Sequence, residues 1–228
     1  MRTPTRPLRT KLVALAGAAV LMGGAAACSG DSDASSNDSS SQSAPKPVAS
    51  LDEVTGTSTA IALDKGFTDA LTTLGLTPGV TGEGQLTDEG SLVFPITGGN
   101  VTVFKPGEVS PYVIGQLQHV TSGLTLTAGD TTVKLSNFNV DPGVSRVYGD
   151  VEVNGQPAAS SAFLFQLDGR TLEPLKTEGT DAILTGTKVF ISPVAAELLN
   201  ATFKTDAVTK DLLVGVATIT VDTTPAPA

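Results

Sequence analysis

Between residues 51 and 222 the chain repeats one pattern: apolar residues alternate with Thr or another polar residue over four to nine positions. A turn residue then interrupts. Thr57–Leu63 (TSTAIAL), Leu92–Ile96 (LVFPI), Val101–Phe104 (VTVF), Val113–Val120 (VIGQLQHV) and Leu124–Thr127 (LTLT) open the series. Thr132–Val140, Arg146–Val153, Phe163–Leu167, Thr187–Ile191 and Leu213–Val221 continue it. A period of two places alternate side chains on opposite faces of a strand, and Thr and Val fit a pleated surface. The short spacing between runs suits antiparallel neighbours rather than helical crossovers. Ala128-Gly129-Asp130 and Asp141-Pro142-Gly143 have the composition of tight connections. The expected fold class is mainly β, with antiparallel sheets in a sandwich-like arrangement.

Two stretches break the alternation. Asp64–Leu74 places Phe67, Ala70, Leu71 and Leu74 on one helical face, with Asp64 as N-cap. Ser192–Phe203 does the same with Val194, Leu198, Leu199 and Phe203, behind Ser192 as N-cap and Pro193 at the first helical position. The pattern therefore predicts two short α-helices. A shift of 128 residues overlays Thr59, Ile61, Leu63 and Asp64 on Thr187, Val189, Ile191 and Ser192. Each set reads as a strand that ends in a cap and enters a helix, through duplication or through two uses of one device.

The N-terminal segment has a different chemistry. Arg2, Arg6, Arg9 and Lys11 form a basic region without acidic residues, and Leu12–Gly24 is apolar. Ala25-Ala26-Ala27 supplies small residues before Cys28. This resembles the signal peptide of bacterial lipoproteins, which implies cleavage after residue 27 and lipidation of Cys28. Residues 28–50 contain nine Ser and Val48 as the one large aliphatic side chain, so they read as a disordered tether. A coil of that length spans roughly 25–30 Å. The expected organisation is a signal peptide over 1–27, a lipid-anchored tether over 28–50 and a single β-rich domain over 51–224. The expected location is the extracellular face of the cell membrane, with the lipid on Cys28 as the membrane partner.

Composition narrows the function. One Cys excludes an intramolecular disulfide, and one His excludes a multi-histidine metal site. The formal charge of −9 becomes −13 when the four signal-peptide cations are removed, leaving 10 basic residues against 23 acidic. That balance argues against a nucleic-acid partner. No Gly-x-Ser-x-Gly elbow or phosphate-binding loop occurs, and Gly82-Glu83-Gly84 and Gly98-Gly99 read as turns. The scattered carboxylates lack the aromatic platforms of a sugar-cleaving site, since Trp is absent. No catalytic or metal-ligating set emerges, and the chain reads as a non-catalytic binding or interaction module with a cell-wall or protein partner.

Residues 113–141, VIGQLQHVTSGLTLTAGDTTVKLSNFNVD, join a Gly-containing strand to a His, then to Gly-Leu and to Asn-Phe-x-Val. With Ile183–Ile191, Leu198-Leu199-Asn200 and Val214–Thr220 they resemble HtaA-type domains, surface modules of actinobacteria that bind haem. The resemblance implies that His119 matches the family's haem-pocket His. The family also uses an axial Tyr, and Tyr112 is the nearest phenol, though no motif matches it. Haem is thus the alternative cofactor, and a haem-relay lipoprotein the alternative function. A structural role for His119 within its strand stands beside that reading. A lipid or glycolipid carrier, with an apolar cavity between sheet and helices, is the third function.

Overall fold

The structure, a computed structural model, describes residues 44–54 and 56–224. The expected signal peptide (1–27), Cys28 and the part of the expected tether through residue 43 lie outside the described residues. From the N-terminus, the strands are β1 (Ala49–Leu51) and β2 (Thr57–Leu63), followed by helix α1 (Lys65–Thr73). Next come β3 (Thr77–Thr81), β4 (Gln85–Leu86), β5 (Ser91–Pro95) and β6 (Gly98–Val103). The long strands β7 (Val113–Ala128), β8 (Thr131–Asp141), β9 (Arg146–Val153) and β10 (Gln156–Asp168) form consecutive hairpins. Strands β11 (Lys176–Glu178) and β12 (Asp181–Ile191), helix α2 (Pro193–Phe203) and strand β13 (Leu213–Asp222) complete the domain.

All thirteen strands belong to one sheet, ordered β1-β6-β7-β8-β9-β10-β12-β13-β2-β5-β4, with β3 on β7 and β11 on β12. Every strand pairing is antiparallel. The facing layers expected of a sandwich are the two limbs of this sheet, which curls until β5 approaches β7. Phe94 of β5 lies edge-on to Phe138 of β8, with ring centroids 5.2 Å apart, although the strands are distant in the sheet order. The limbs also touch through Thr97, whose N–H donates to Gln118 O at 2.8 Å.

Bulges produce the curl. In β7, His119 opposes Phe138 and Gly123 opposes Ser136, so three residues face one. Thr121, at the centre, has φ +66. The bulge reverses the strand's phase: Leu117 and His119 are buried before it, Leu124 and Leu126 after it. Strand β8 changes phase in the same way around Asn137 (φ +54), between Val133 with Leu135 and Phe138 with Val140. A bulge bends its strand and increases the local twist, which a sheet needs in order to close on itself.

Both helices form where the sequence places them. Asp64 accepts from Gly66 N at 2.7 Å, and Ser192 from Ala195 N at 3.0 Å. Helix α1 buries Phe67 and Leu71; α2 buries Ala195, Ala196 and Leu199. Burying Phe or Leu is worth about 1.5–3 kcal/mol per side chain before ordering entropy is subtracted. Strands β2 and β12 flank β13 and therefore run parallel, so α1 and α2 leave the sheet at the same end.

The sequence left the margins of several elements unread. Ala49 and Ser50, the end of the segment read as tether, belong to β1 and pair with Val103 and Thr102. Val113–Val120 and Leu124–Thr127 are one strand, because a bulge rather than a turn interrupts their alternation.

The two caps differ in burial. Ser192 is fully buried and its hydroxyl also donates to Phe163 O, whereas Asp64 is partly exposed. Ser192→Ala is expected to cost about 2 kcal/mol and Asp64→Ala about 1 kcal/mol. Urea unfolding of the two variants measures the difference; equal costs would contradict it.

Candidate binding cavity

The curled sheet encloses a cavity of about 720 Å³. Its wall comes from inward side chains of separate strands, including Ile61, Leu92, Phe138, Val189 and Ala217. The end with the helices is closed by buried side chains. At the other end the lining becomes accessible: Tyr112, Leu172 and Leu175 are half-buried, and Arg170 and Thr223 are exposed. Ile61, Leu167, Leu184 and Ile219 point inward yet are only half-buried, because they face this open space. Such a lining removes an apolar ligand from water while leaving a polar group at the mouth hydrated.

Asp168 and Arg170 form the charged part of the mouth. Arg170 donates from Nε to Asp168 Oδ1 at 2.9 Å and from Nη2 to Oδ2 at 2.6 Å. These bonds hold the Asp168 carboxyl down at about 2. The guanidinium and carboxylate satisfy each other, so the rim presents a paired charge rather than a free cation.

The most buried polar side chain of the lining is His119, only 2% exposed. Its Nδ1 lies 2.8 Å from Pro95 O. A carbonyl only accepts, so Nδ1 carries the proton and Nε2 accepts from the Thr59 hydroxyl at 3.2 Å. Thr59 belongs to β2, Pro95 to β5 and His119 to β7, so one imidazole joins the two limbs of the curl. Burial pushes the His119 pKa down, against a smaller upward pull from hydrogen bonding to the Pro95 and Phe94 backbone. The neutral ring is the stable form. A carbonyl occupies the place where a triad would put its carboxylate, so no anion stands ready to stabilise an imidazolium.

His119 and Tyr112 both line this cavity, at different depths. Tyr112 immediately precedes β7 at the mouth, and His119 lies seven residues farther along the extended chain. That separates their Cα atoms by about 20 Å. The two side chains cannot converge on one iron, so the residues present do not fit a Tyr–His ligand pair. His119 by itself has the tautomer of a metal-bound imidazole, with Nδ1–H given to a carbonyl and Nε2 carrying the lone pair. Among the described residues, no group of three or more His, Cys, Asp or Glu side chains could hold a metal ion. Cys28 lies outside the described residues.

Sequence reasoning missed Thr59 and the aliphatic lining as site residues. The one available signal was the 128-residue repeat: Thr59 and Ile61 correspond to Thr187 and Val189, and all four line the cavity.

No protein-family model and no curated protein matches the chain. Among solved structures, the domain is similar to the C-terminal domain of HtaA from Corynebacterium glutamicum. The match has a TM-score of 0.52 at 13% identity and covers 75% of this chain and 98% of that one. A domain-swapped dimer of a variant of the same HtaA domain gives 0.43 at 12% identity, over 68% of this chain and 89% of that one. The first likeness establishes a shared fold: a curled antiparallel sheet of the HtaA C-terminal type, with two short helices. Among the described residues, no helix is long and apolar enough to cross a membrane.

Because folding lowers the His119 pKa, the unfolded chain binds the proton more readily than the folded one. Unfolding free energy is therefore expected to fall as pH drops below about 6.5, by at most about 1.4 kcal/mol per pH unit. Denaturant unfolding between pH 7 and 5 should show this slope, and His119→Gln should flatten it. An unchanged slope in the variant would remove His119 as the cause.

Proposed function

We propose that this domain is a non-catalytic binding module that carries one apolar small molecule inside the curled sheet, held at the extracellular face of the membrane by a lipid on Cys28. The apolar cavity of about 720 Å³ carries this reading. A space of that size is within the range of small-molecule sites and exceeds the voids of a closely packed core. The aliphatic wall favours a lipid-like ligand, and the self-paired Asp168–Arg170 rim favours a neutral polar end.

Mass spectrometry of solvent extracts from the purified intact protein should identify the cargo, and a fluorescent fatty acid should report binding. Ala217 is 4% exposed on the cavity wall. Ala217→Phe should fill space the ligand needs and abolish probe binding without lowering the melting temperature. Retained probe affinity in that variant would refute the interior site.

Haem is the second reading, favoured by the His119 tautomer in the wall of an HtaA-type fold. If haem occupies the cavity, His119 Nε2 would hold the iron after release from Thr59, and haem would supply the redox-active centre. Haemin titration should then give a Soret shift that His119→Ala removes and Tyr112→Phe leaves unchanged. No shift, or one insensitive to His119, would discard this reading.

The anchor is tested separately. Cys28→Ser should abolish incorporation of a clickable palmitate analogue and move the protein from the membrane fraction to the medium. Continued membrane retention without labelling would refute lipid anchoring.

A further inference from the structure

The outer face of the same sheet carries a second arrangement. Across β7, β8, β9 and β10, Gln118 opposes Asn139, Asn139 opposes Tyr148, and Tyr148 opposes Phe163. Adjacent strands are about 4.8 Å apart, so the four residues form a row roughly 14 Å long. A separate cleft of about 260 Å³ opens along it, with Gln118, Asn139 and Tyr148 in its wall. The cleft is bounded on one side by Asn137, Asp150 and Ser161.

The bounding groups are already bonded. Asp150 Oδ2 accepts from Asn137 Nδ2 at 2.9 Å, and Oδ1 accepts from Ser161 N at 3.0 Å. The row is not satisfied in this way. Neither the Gln118 nor the Asn139 side chain makes a hydrogen bond among the described residues, and Asn139 Oδ1 is buried without a partner. Arg146 lies 4.5 Å over the centre of the Phe163 ring, with Nη1 3.4 Å from the Tyr148 hydroxyl. Tyr148 is itself tilted against Phe163, at 6.1 Å between centroids. The phenol ring is thereby held in place in the same row as the exposed Gln118 amide.

We propose that this row is a carbohydrate site that binds a neutral pyranose, stacked on Tyr148 and hydrogen-bonded by Gln118. The exposed Gln118 carboxamide offers a donor and an acceptor side by side, which matches two neighbouring sugar hydroxyls. The C–H face of a pyranose carries weak positive charge and suits the negative face of an aromatic ring. The Asp150 carboxylate beside the cleft disfavours phosphate, sulfate and uronate. A peptide adding as a strand needs a free sheet edge, and β7 to β10 are each paired on both sides. This site is independent of the interior cavity.

The test is titration of the full chain with chitotetraose, mannotetraose and galactotetraose, followed by calorimetry and NMR. At least one should bind and saturate below about 10 mM. Tyr148→Ala should weaken that binding about tenfold and Gln118→Ala at least about threefold. Gln118 is exposed, so its variant decides the matter even if Tyr148→Ala fails to fold. Ala217→Phe should leave sugar affinity unchanged. Absence of binding by all three sugars would overturn the proposal. So would affinity unaffected by both substitutions, or preferential binding of a cell-wall stem peptide.

Discussion

The shape of this domain depends on a seam of bulges held together by Asp150. Thr121 on β7, Asn137 on β8 and Ser161 on β10 each adopt a left-handed conformation, at φ +66, +54 and +49. Asp150, on the intervening β9, binds both Asn137 and Ser161, while Asn137 Oδ1 accepts from Thr121 N at 3.0 Å. The carboxylate is held below its ordinary range first by the Asn137 amide and then by the Ser161 N–H. Left-handed backbone is costly for Thr and Ser, so these bonds offset local strain at the point where the long strands bend. Without the phase reversals at the seam, Leu117 and Leu124 could not both face inward from one strand, and the sheet would have no reason to enclose a volume.

His119 joins the limbs that the bend brings together. Its partners come from β2 and β5, and Thr59 lies in the strand that leads to α1. The second strand-to-helix unit, β12 to α2, lies on the far side of β13 and runs in the same direction. Both helices therefore close one end and leave the other open. One arrangement positions the cavity floor, the buried imidazole and the mouth. The outward Gln118–Asn139–Tyr148 row follows from it as well, because the residues beside the inward set on each strand must point outside.

Local patterns made some elements legible. Arg146–Val153 alternates along its length, Thr57–Leu63 sets larger Thr59, Ile61 and Leu63 against small Ser58, Ala60 and Ala62, and Asp64 and Ser192 are strong caps, so their limits agree closely with the structure. Strand β3 is TPGVT, and the first half of β10 is QPAASS. Neither contains alternating large apolar side chains, and both are held by pairing with a neighbouring strand. The cavity was legible only as a surplus of Leu, Val and Ile, which an ordinary core would also need. Tyr112 and His119 stood out as rare residue types; their separation was visible in the numbering once His119 sat on a continuous strand that Tyr112 immediately precedes.

By itself the sequence determined the antiparallel β class, two capped helices and an interior built from aliphatic side chains. Those properties rest on short-range rules: period-two alternation, turn chemistry and capping within a few residues. Tertiary structure alone decided that the strands form one curled sheet, that its interior holds a cavity, and that His119 bonds to Thr59 and Pro95. The reason is physical. Alternation specifies two faces for each strand but not which strands will meet, and that choice is made by pairings and bulges between residues tens of positions apart.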